Sequence, residues 1–507
     1  MNYLQKKKLA FMSIVNSVKG FVRNITGVFP LTLTNCVDEE SITDYTIYGN
    51  SVQNGTPKPD NPIEVECVGE LVENLFNEYD ELVLGYYDDS GAFKSDNSVF
   101  KTAQYIPVKP DTFYTVKGKS LVQNEIGYMR IAEFNSEKTF IKRSLSQKLS
   151  EPAVTIETTS ATAFVAISYD YGESSDDNVA QIVDIHLCEG INPNNCGKYK
   201  IPIKVSGKNL LVLSRDNQRF TQNGVTFAIN KDKGITMNGT CTADVPIDVS
   251  KDNGFTAGGG TYTLCGCFGG STSTYYLQTQ NGFTDTGRGV TVSTKEDKNI
   301  VRLYVKKGTV LDNVTICPML IKGNYVGKVP DYEPYHEPIT TNIYLDEPLR
   351  KVGDYADYID FENGKIVRNV KTVALQKADA QYSWISKKGV AFKNVLSENL
   401  NRAKGLCNRE NLFTADGGET TTMWVGVESK WVYWIGILDY LGMTTIDEFN
   451  EWLANNPTYV YYGTHNPTET LITLPNIPTF RGTSILNADT TIQPSNAEVT
   501  YYSIVKE

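Results

Sequence analysis

The chain has 507 residues, enough for several domains, and its apolar (40%) and charged (21%) fractions are those of a folded globular protein. Its net charge of -11 disfavours nucleic acid as a partner, because phosphate backbones are bound by basic surfaces. Only three histidines are present (His186, His336 and His465), which disfavours most zinc, non-haem iron and Ser-His-Asp chemistries.

Residues 1–27 have the pattern of one amphipathic helix. Apolar side chains recur seven residues apart, with a second apolar position between them, as in a heptad repeat. These positions are Leu4, Phe11, Ile14, Val18, Phe21 and Ile25. Three such helices can pack along one axis, so the pattern predicts a homotrimer; the alternative is a single helix docked on a neighbouring domain. Because the rest of the chain is acidic and lacks a long apolar run, no membrane partner is expected.

Residues 28–72 follow as an extended β connector, in which short strands flank a loop rich in Pro, Asn and Gly. The absence of a cleavage-site pattern near the amino terminus favours a chain that stays in the cytosol until it is assembled. Nine cysteines are scattered along the sequence, and the close pair Cys265 and Cys267 lacks the second pair of a zinc knuckle. We therefore expect reduced, mostly buried thiols and no metal site.

An internal repeat occupies the middle of the chain. The matched segments are 74–76 with 207–211, 108–116 with 256–264, 163–168 with 300–305, and 183–188 with 314–319. Within the third pair, Val301, Leu303 and Val305 alternate with polar or larger residues, which indicates strands with one buried face. Successive strands without intervening helices predict two tandem β-sandwiches of the jelly-roll type, at 73–193 and 206–325.

Residues 326–370 resemble the first connector and include a hairpin at the Glu362-Asn-Gly364 tip. Residues 371–507 form a predicted C-terminal β-rich domain that contains all five tryptophans. One short helix is expected there, since Thr445 and Glu448 form a capping box and the sequence 455–457 (Asn-Asn-Pro) ends it. The fold class is thus mainly β.

Two groups of side chains are candidates for chemistry. Asp354, Asp357 and Asp360 are three residues apart, so in an extended segment their carboxylates alternate between faces; a solvated strand edge is favoured over calcium binding or catalysis. The aromatic group has better potential as a ligand site, because ring faces can stack on sugars. It comprises Trp424, Trp431, Tyr433 and Trp434. The alternative is that these rings form the core of the C-terminal domain.

Several segments of the sequence resemble minor structural and tail proteins of phages and prophages of Gram-positive gut bacteria. These segments are residues 47–63, 200–211, 449–462 and 493–502. The resemblance implies a virion component of the tail-fibre, baseplate or receptor-binding type, with sandwiches like carbohydrate-binding modules and commonly a homotrimer. It carries over no site residues.

The sequence therefore predicts a non-enzymatic phage virion protein, assembled in the host cytoplasm, without cofactors. Its expected partners are copies of itself, other virion proteins and host surface glycan. Two alternatives stay open: a purely structural spacer such as a head fibre, collar or adaptor, and a depolymerase of surface polysaccharide with a carboxylate pair that the sequence does not reveal. A secreted adhesin is disfavoured, since no signal peptide is recognised.

Overall fold

The computed structural model describes residues 45–76, 82–120, 128–148, 153–170, 182–250, 260–294, 300–375, 377, 380–383, 390–400, 405–409, 412–413, 424–435, 443, 445–480, 482–488, 491–492 and 500–504. Within these ranges the protein is mainly β, as predicted, with one α-helix, Ile446–Asn455. No helix in the described ranges is long and apolar enough to cross a membrane. The heptad positions from Leu4 to Ile25 lie outside them.

The first sandwich, at residues 74–190, consists of two antiparallel sheets that enclose one core. One sheet contains Val154–Glu157, Phe113–Ser120 and Ile182–Glu189. The other contains Phe140–Lys148, Tyr128–Phe134, Phe164–Asp170, Val99–Thr102 and Leu82–Leu84, with Ile106–Pro107 beside it. Side chains from both sheets, such as Ile131 and Leu187, are fully buried in that core. The hairpin Tyr86–Tyr87 and Phe93–Lys94 is separate from both sheets.

The second sandwich, at residues 209–322, has three small antiparallel sheets around one core. The first contains Arg219–Gln222, Val225–Asn230, Gly234–Thr240 and Val310–Ile316. The second contains Val245–Asp248, Val301–Val305, Tyr275–Thr279 and Thr284–Asp285. The third contains Val290–Thr294, Gly260–Cys265 and Met319–Lys322. The predicted alternation is confirmed, because Val301, Leu303 and Val305 are all fully buried.

Each sandwich has an asparagine at an equivalent position that links the beginning of the sandwich to its last strand. Asn74 Oδ1 accepts from the backbone N–H of Phe76 (3.1 Å) and Leu187 (2.9 Å). Asn209 Oδ1 accepts in the same way from Leu211 (2.9 Å) and Leu320 (3.1 Å). The repeated segments therefore begin at equivalent positions.

A threonine on the central strand of each repeat makes a second shared contact. Thr115 Oγ1 donates to Gly190 O at 2.6 Å, and Thr263 Oγ1 donates to Gly323 O at 2.7 Å. Both glycines have a positive φ, near 108°, which L side chains rarely adopt. These contacts match the predicted alignment of 108–116 with 256–264. They also correct the alignment of the closing strands: the partner of 182–189 is Met319–Lys322, since the bond to asparagine links Leu187 to Leu320.

The remaining segments build a central domain that the sequence did not reveal. One sheet contains Thr46–Tyr48, Tyr358–Asp360, Lys365–Leu375, Thr458–Leu471 and Gly405–Cys407. The other contains Ile339–Leu345, Tyr199–Gly207, Gly482–Ala488 and Thr500–Ile504, with Glu70–Leu71 beside Tyr199–Gly207. Ile47, Ile201, Ile359 and Leu486 from these sheets are fully buried in one shared core.

The stretches expected to be connectors are thus parts of a folded domain into which both sandwiches are inserted. The chain leaves for the first sandwich at Val72 and returns at Lys198, and these crossing segments are hydrogen-bonded to each other (Val72 N to Lys198 O, 2.8 Å). Short strands cannot bury a face alone, so a sequence with such strands is typical of a linker. In the structure the strands within 45–72 and 326–370 find partners in distant parts of the chain.

Small elements complete the described fold. They are the hairpins Ser51–Val52 with Glu66–Cys67 and Lys351–Val352 with Tyr355–Ala356, and the sheet of Ala380–Ser383, Val390–Leu400, Trp424–Ile435 and Leu412–Phe413. The predicted hairpin at 362–364 is confirmed, with Tyr358–Asp360 paired to Lys365–Leu375.

The predicted capping box at the single described helix is confirmed in full. Thr445 Oγ1 accepts from the Glu448 N–H, and the Glu448 carboxylate accepts from the Thr445 N–H. Phe449 and Leu453 bury the apolar face of the helix. The Trp452 ring stacks on Phe449 and lies 5.6 Å from the guanidinium of Arg409. This cation–π contact links the helix to the segment that follows the strand Gly405–Cys407.

The expectation that the thiols are reduced is wrong for one pair: Cys188 and Cys196 form a disulfide. Cys188 ends a core strand, and the 3₁₀ turn Pro193–Asn195 brings Cys196 back to it, with a Cα–Cα distance of 5.6 Å. Six other cysteines in the described ranges form no disulfide. Burial raises the pKa of Cys265 and of Cys267 to about 12, which keeps both thiols protonated and inert.

Candidate functional site

The sequence-predicted aromatic site lies on the strand Trp424–Ile435. Its backbone pairs with Val390–Leu400, with Trp434 opposite Phe392 and Trp431 opposite Val395. The side chains of Trp424, Trp431, Tyr433 and Trp434 lie outside the part of the chain that the structure describes, so this site stays a prediction.

A cleft of about 700 Å³, named here the central cleft, lies in the central domain. Its walls come from the end of Ile339–Leu345 and from the paired strands Lys365–Leu375 and Thr458–Leu471. The lining combines charged side chains, several threonines and the ring of Tyr344. A volume of about 700 Å³ lies within the usual range of small-molecule binding sites.

Charge in the central cleft changes sign with depth. The acidic side chains Asp346 and Glu347 are 89% and 61% exposed, so they stand at the rim. The cationic side chains Arg350 and Arg368 are only 10% and 16% exposed and lie deeper. Lys371 and Lys198, which pairs with Asp346 at 3.5 Å, are also part of the lining. The lining thus holds four cationic and two acidic side chains, a formal excess of positive charge in a chain whose net charge is -11.

Asp357 anchors the floor behind the cleft and corrects the expectation of a solvated acidic edge. It is fully buried, whereas Asp360 remains at the surface and accepts from Asn363. Asp357 accepts from the backbone N–H groups of Arg350, Asn369 and Val370 and from Arg368 Nη1 at 3.2 Å. Burial raises the pKa of Asp357, while Arg368 and the backbone donors oppose that rise.

Arg350 is the group in the central cleft whose bonding is incomplete. Its Nη1 donates to Glu347 at 2.6 Å, but its buried Nε has no hydrogen-bond partner among the described residues. Gly49 packs closely against the backbone here, since a Cβ built on it would lie 2.4 Å from Arg350 O. The sequence did not predict this residue because no motif surrounds it.

An aromatic cluster on the outer face of the larger sheet of the first sandwich was also not predicted. Its members are Tyr87, Tyr105, Phe134, Phe140 and Phe164, with Ala132 and Ala166 between them. The Tyr87 and Tyr105 hydroxyls are 2.9 Å apart, and Lys101 Nζ lies 5.1 Å from the Tyr87 ring. Burial lowers the pKa of Lys101. Because Phe134 and Lys101 are themselves buried, the cluster mainly fixes the hairpin Tyr86–Tyr87 and Phe93–Lys94 to the sheet.

One cluster of metal-ligating type occurs among the described residues: His186, Cys188 and Cys196, whose ligand atoms lie within 4.8 Å of one another. Two of its three ligands are joined as the disulfide, so they are not available as thiolates.

Comparison with family models, curated proteins and solved structures gave no match.

Proposed function

We propose that this chain is a phage virion protein of the tail-fibre, baseplate or receptor-binding type that contacts glycan on the host surface. The observation that carries the proposal is the combination of a cleft of about 700 Å³ with two repeated sandwiches inserted into the same central domain. Function resides in sites carried by a fold, and the repeated β modules support the proposal by offering surface for such sites. The sequence segments that resemble phage tail proteins support the assignment to a virion.

Multivalent presentation explains how a weak cleft would serve adhesion. A single saccharide site typically binds weakly, because association costs consume much of the contact energy. If the chain is a trimer, three linked sites raise avidity by about 10²–10⁴ when all engage one surface.

The first experiment incubates the purified full chain with an array of bacterial surface polysaccharides and oligosaccharides. Saturable binding to a subset of glycans supports the proposal. An absence of binding across the array, from folded protein, would contradict it and favour the spacer alternative. Release of reducing sugar ends from a bound polysaccharide would instead favour the depolymerase.

The aromatic strand supplies a sharper prediction within the same assay. Trp431→Ala and Trp434→Ala each remove a ring face from the predicted site, so we expect glycan binding to fall about 10-fold. Trp452→Phe, on the helix, is the control and leaves binding unchanged. Equal binding by all three variants would mean that Trp431 and Trp434 have no role in ligand binding.

A further inference from the structure

We infer that the central cleft selects glycans that carry an oxyanion, either the carboxylate of an acidic sugar or the phosphate of a sugar or polyol phosphate. The ligand class rests on the proposed function, because it assumes that the ligand is a saccharide. The recognition element is Arg350, supported by Lys198, Arg368 and Lys371 in the same cavity.

The arrangement of charge gives the first reason. Arg368 has a buried counter-ion, Asp357, at 3.2 Å, whereas the acid paired with Arg350 is Glu347, which is largely in water. The guanidinium of Arg350 is thus buried without an equally buried negative charge. Burial of a cation is costly unless an anion is brought to it, so an anionic ligand group would complete the site.

The shape of the Arg350 guanidinium gives a second reason. Its Nε–H is buried, so a ligand in the cleft would contact the part of the guanidinium that lines it, and a guanidinium presents its donors in a planar fork. Carboxylate and phosphate oxygens match that fork, and charge-assisted bonds of this kind are about twice as strong as neutral ones. A neutral hydroxyl at the same place would satisfy the donor without offsetting the charge.

The remaining lining fits the neutral part of such a ligand. Thr468 and Thr470 on the strand Thr458–Leu471 line the exposed side of the cleft, where their hydroxyls can bond to the hydroxyls of a sugar.

Calorimetric titration of the full chain tests this inference with four simple probes: glucuronate, glycerol 1-phosphate, glucose and glycerol. We expect saturable binding of at least one anionic probe, and binding at least about 10-fold weaker, or none, for its neutral counterpart. Affinity should fall as ionic strength rises towards about 1 M, where the Debye length is about 3 Å. The two anionic arms identify which oxyanion is preferred.

Variants locate the binding in the cleft. Arg350→Gln is expected to lower the affinity for the anionic probe about 10- to 100-fold, which corresponds to the usual free energy of a charge-assisted hydrogen bond. Lys198 is a more exposed lining residue, so Lys198→Gln should lower the affinity by a smaller factor. This second variant keeps the test valid if Arg350→Gln fails to fold. Lys365→Gln is the matched control: it lies on a cleft strand but pairs with Glu469 outside the lining, and binding should be unchanged.

The outcomes separate the two proposals. If neither anion binds, or if the neutral probes bind equally well, the inference is overturned, while glycan binding on the array would leave the proposed function standing. If an anion binds and Lys198→Gln weakens it but no array glycan is recognised, the cleft is anion-selective and the receptor-binding function is wrong. If Lys365→Gln lowers the affinity for the anion as much as the cleft variants do, the assignment of the binding site to the cleft is also overturned.

Discussion

At the residue scale, one asparagine organises each sandwich, and the one in the second sandwich is buried. Asn209 is 1% exposed, and its amide nitrogen donates to Glu333 O at 3.0 Å while its oxygen accepts two backbone N–H groups. Glu333 lies beyond the last strand of the sandwich and also accepts from Thr483 of the central domain. Asn209 therefore closes the second sandwich and ties it to the domain that carries it.

Replacement of this residue tests that role. Asn209→Ala leaves several buried backbone groups unpaired, so we expect a loss of about 2–4 kcal/mol in the stability of the second sandwich. Hydrogen exchange followed by mass spectrometry would show faster exchange in the strands Gly260–Cys265 and Met319–Lys322. Asn238→Ala, at an exposed position of the same sandwich, is the control. Equal exchange in both variants would contradict the structural role.

At the scale of elements, the junction between the first sandwich and the central domain is held by a charged group around Glu189. Its carboxylate accepts from Lys109 at 2.7 Å and from Lys200 at 3.0 Å, and Lys200 also pairs with Glu70. Lys200 belongs to the central strand Tyr199–Gly207, so the ion pairs join two folded units. The disulfide between Cys188 and Cys196 closes the same connection.

The pKa of Glu189 makes this junction sensitive to acid. Burial raises that pKa, but hydrogen bonds from Lys109 and Lys200 outweigh burial, and the net shift is downward from 4.5. A depressed folded pKa contributes stability that is present above the unfolded pKa and is lost as the pH falls through the folded value. The junction should therefore be intact at neutral pH and weaken in the acid range below 4.5.

Chemical denaturation of the full chain between neutral and acid pH checks this linkage. Glu189→Gln should be less stable than the natural chain at neutral pH, by about 1 kcal/mol since the carboxylate is partly solvated. That difference should shrink as the pH falls below 4.5, when the natural carboxylate is itself protonated. Glu157→Gln, at an exposed position, serves as the control. A difference that stays constant with pH would exclude the ion pairs as its cause.

At the scale of the whole molecule, the chain repeatedly leaves and returns to one central domain. Gln53 Nε2 donates to Cys407 O at 2.9 Å across a sequence separation of 354, and Lys351 N donates to Ser51 Oγ across 300 residues. Folding of the central domain therefore requires the closure of long loops, which costs conformational entropy. A sandwich that has already folded lowers this cost, because it brings the two ends of its loop close together.

The oligomeric state is the prediction that belongs to this scale. The heptad positions of residues 1–27 predict that the full chain is a trimer in solution and that deletion of 1–27 gives a monomer. Mass measurement of both forms by light scattering tests this, with Leu4→Asp and Phe11→Asp together as a milder disruption. A monomer at full length would mean that the segment does not form a trimer by itself and favours docking on another virion protein.

Local features of the fold could be predicted well from the sequence. The alternation at 301–305, the capping box at Thr445 and the repeated strand around Thr115 and Thr263 depend on neighbouring residues or on a period that the chain itself displays. The central cleft could not, since Lys198, Arg350 and Arg368 have no common motif and meet only where strands from separate segments pair.

What the sequence determined alone is the class of the protein: mainly β, acidic, built on a repeated sandwich, with one capped helix in its described part. Periodicity and capping encode these properties locally. Only the tertiary structure decided that the expected connectors share one core, that Asp357 is buried beside Arg368, and that Cys188 meets Cys196. Each of these depends on pairing between distant strands, whose register is set by burial of whole faces and not by any short stretch of residues.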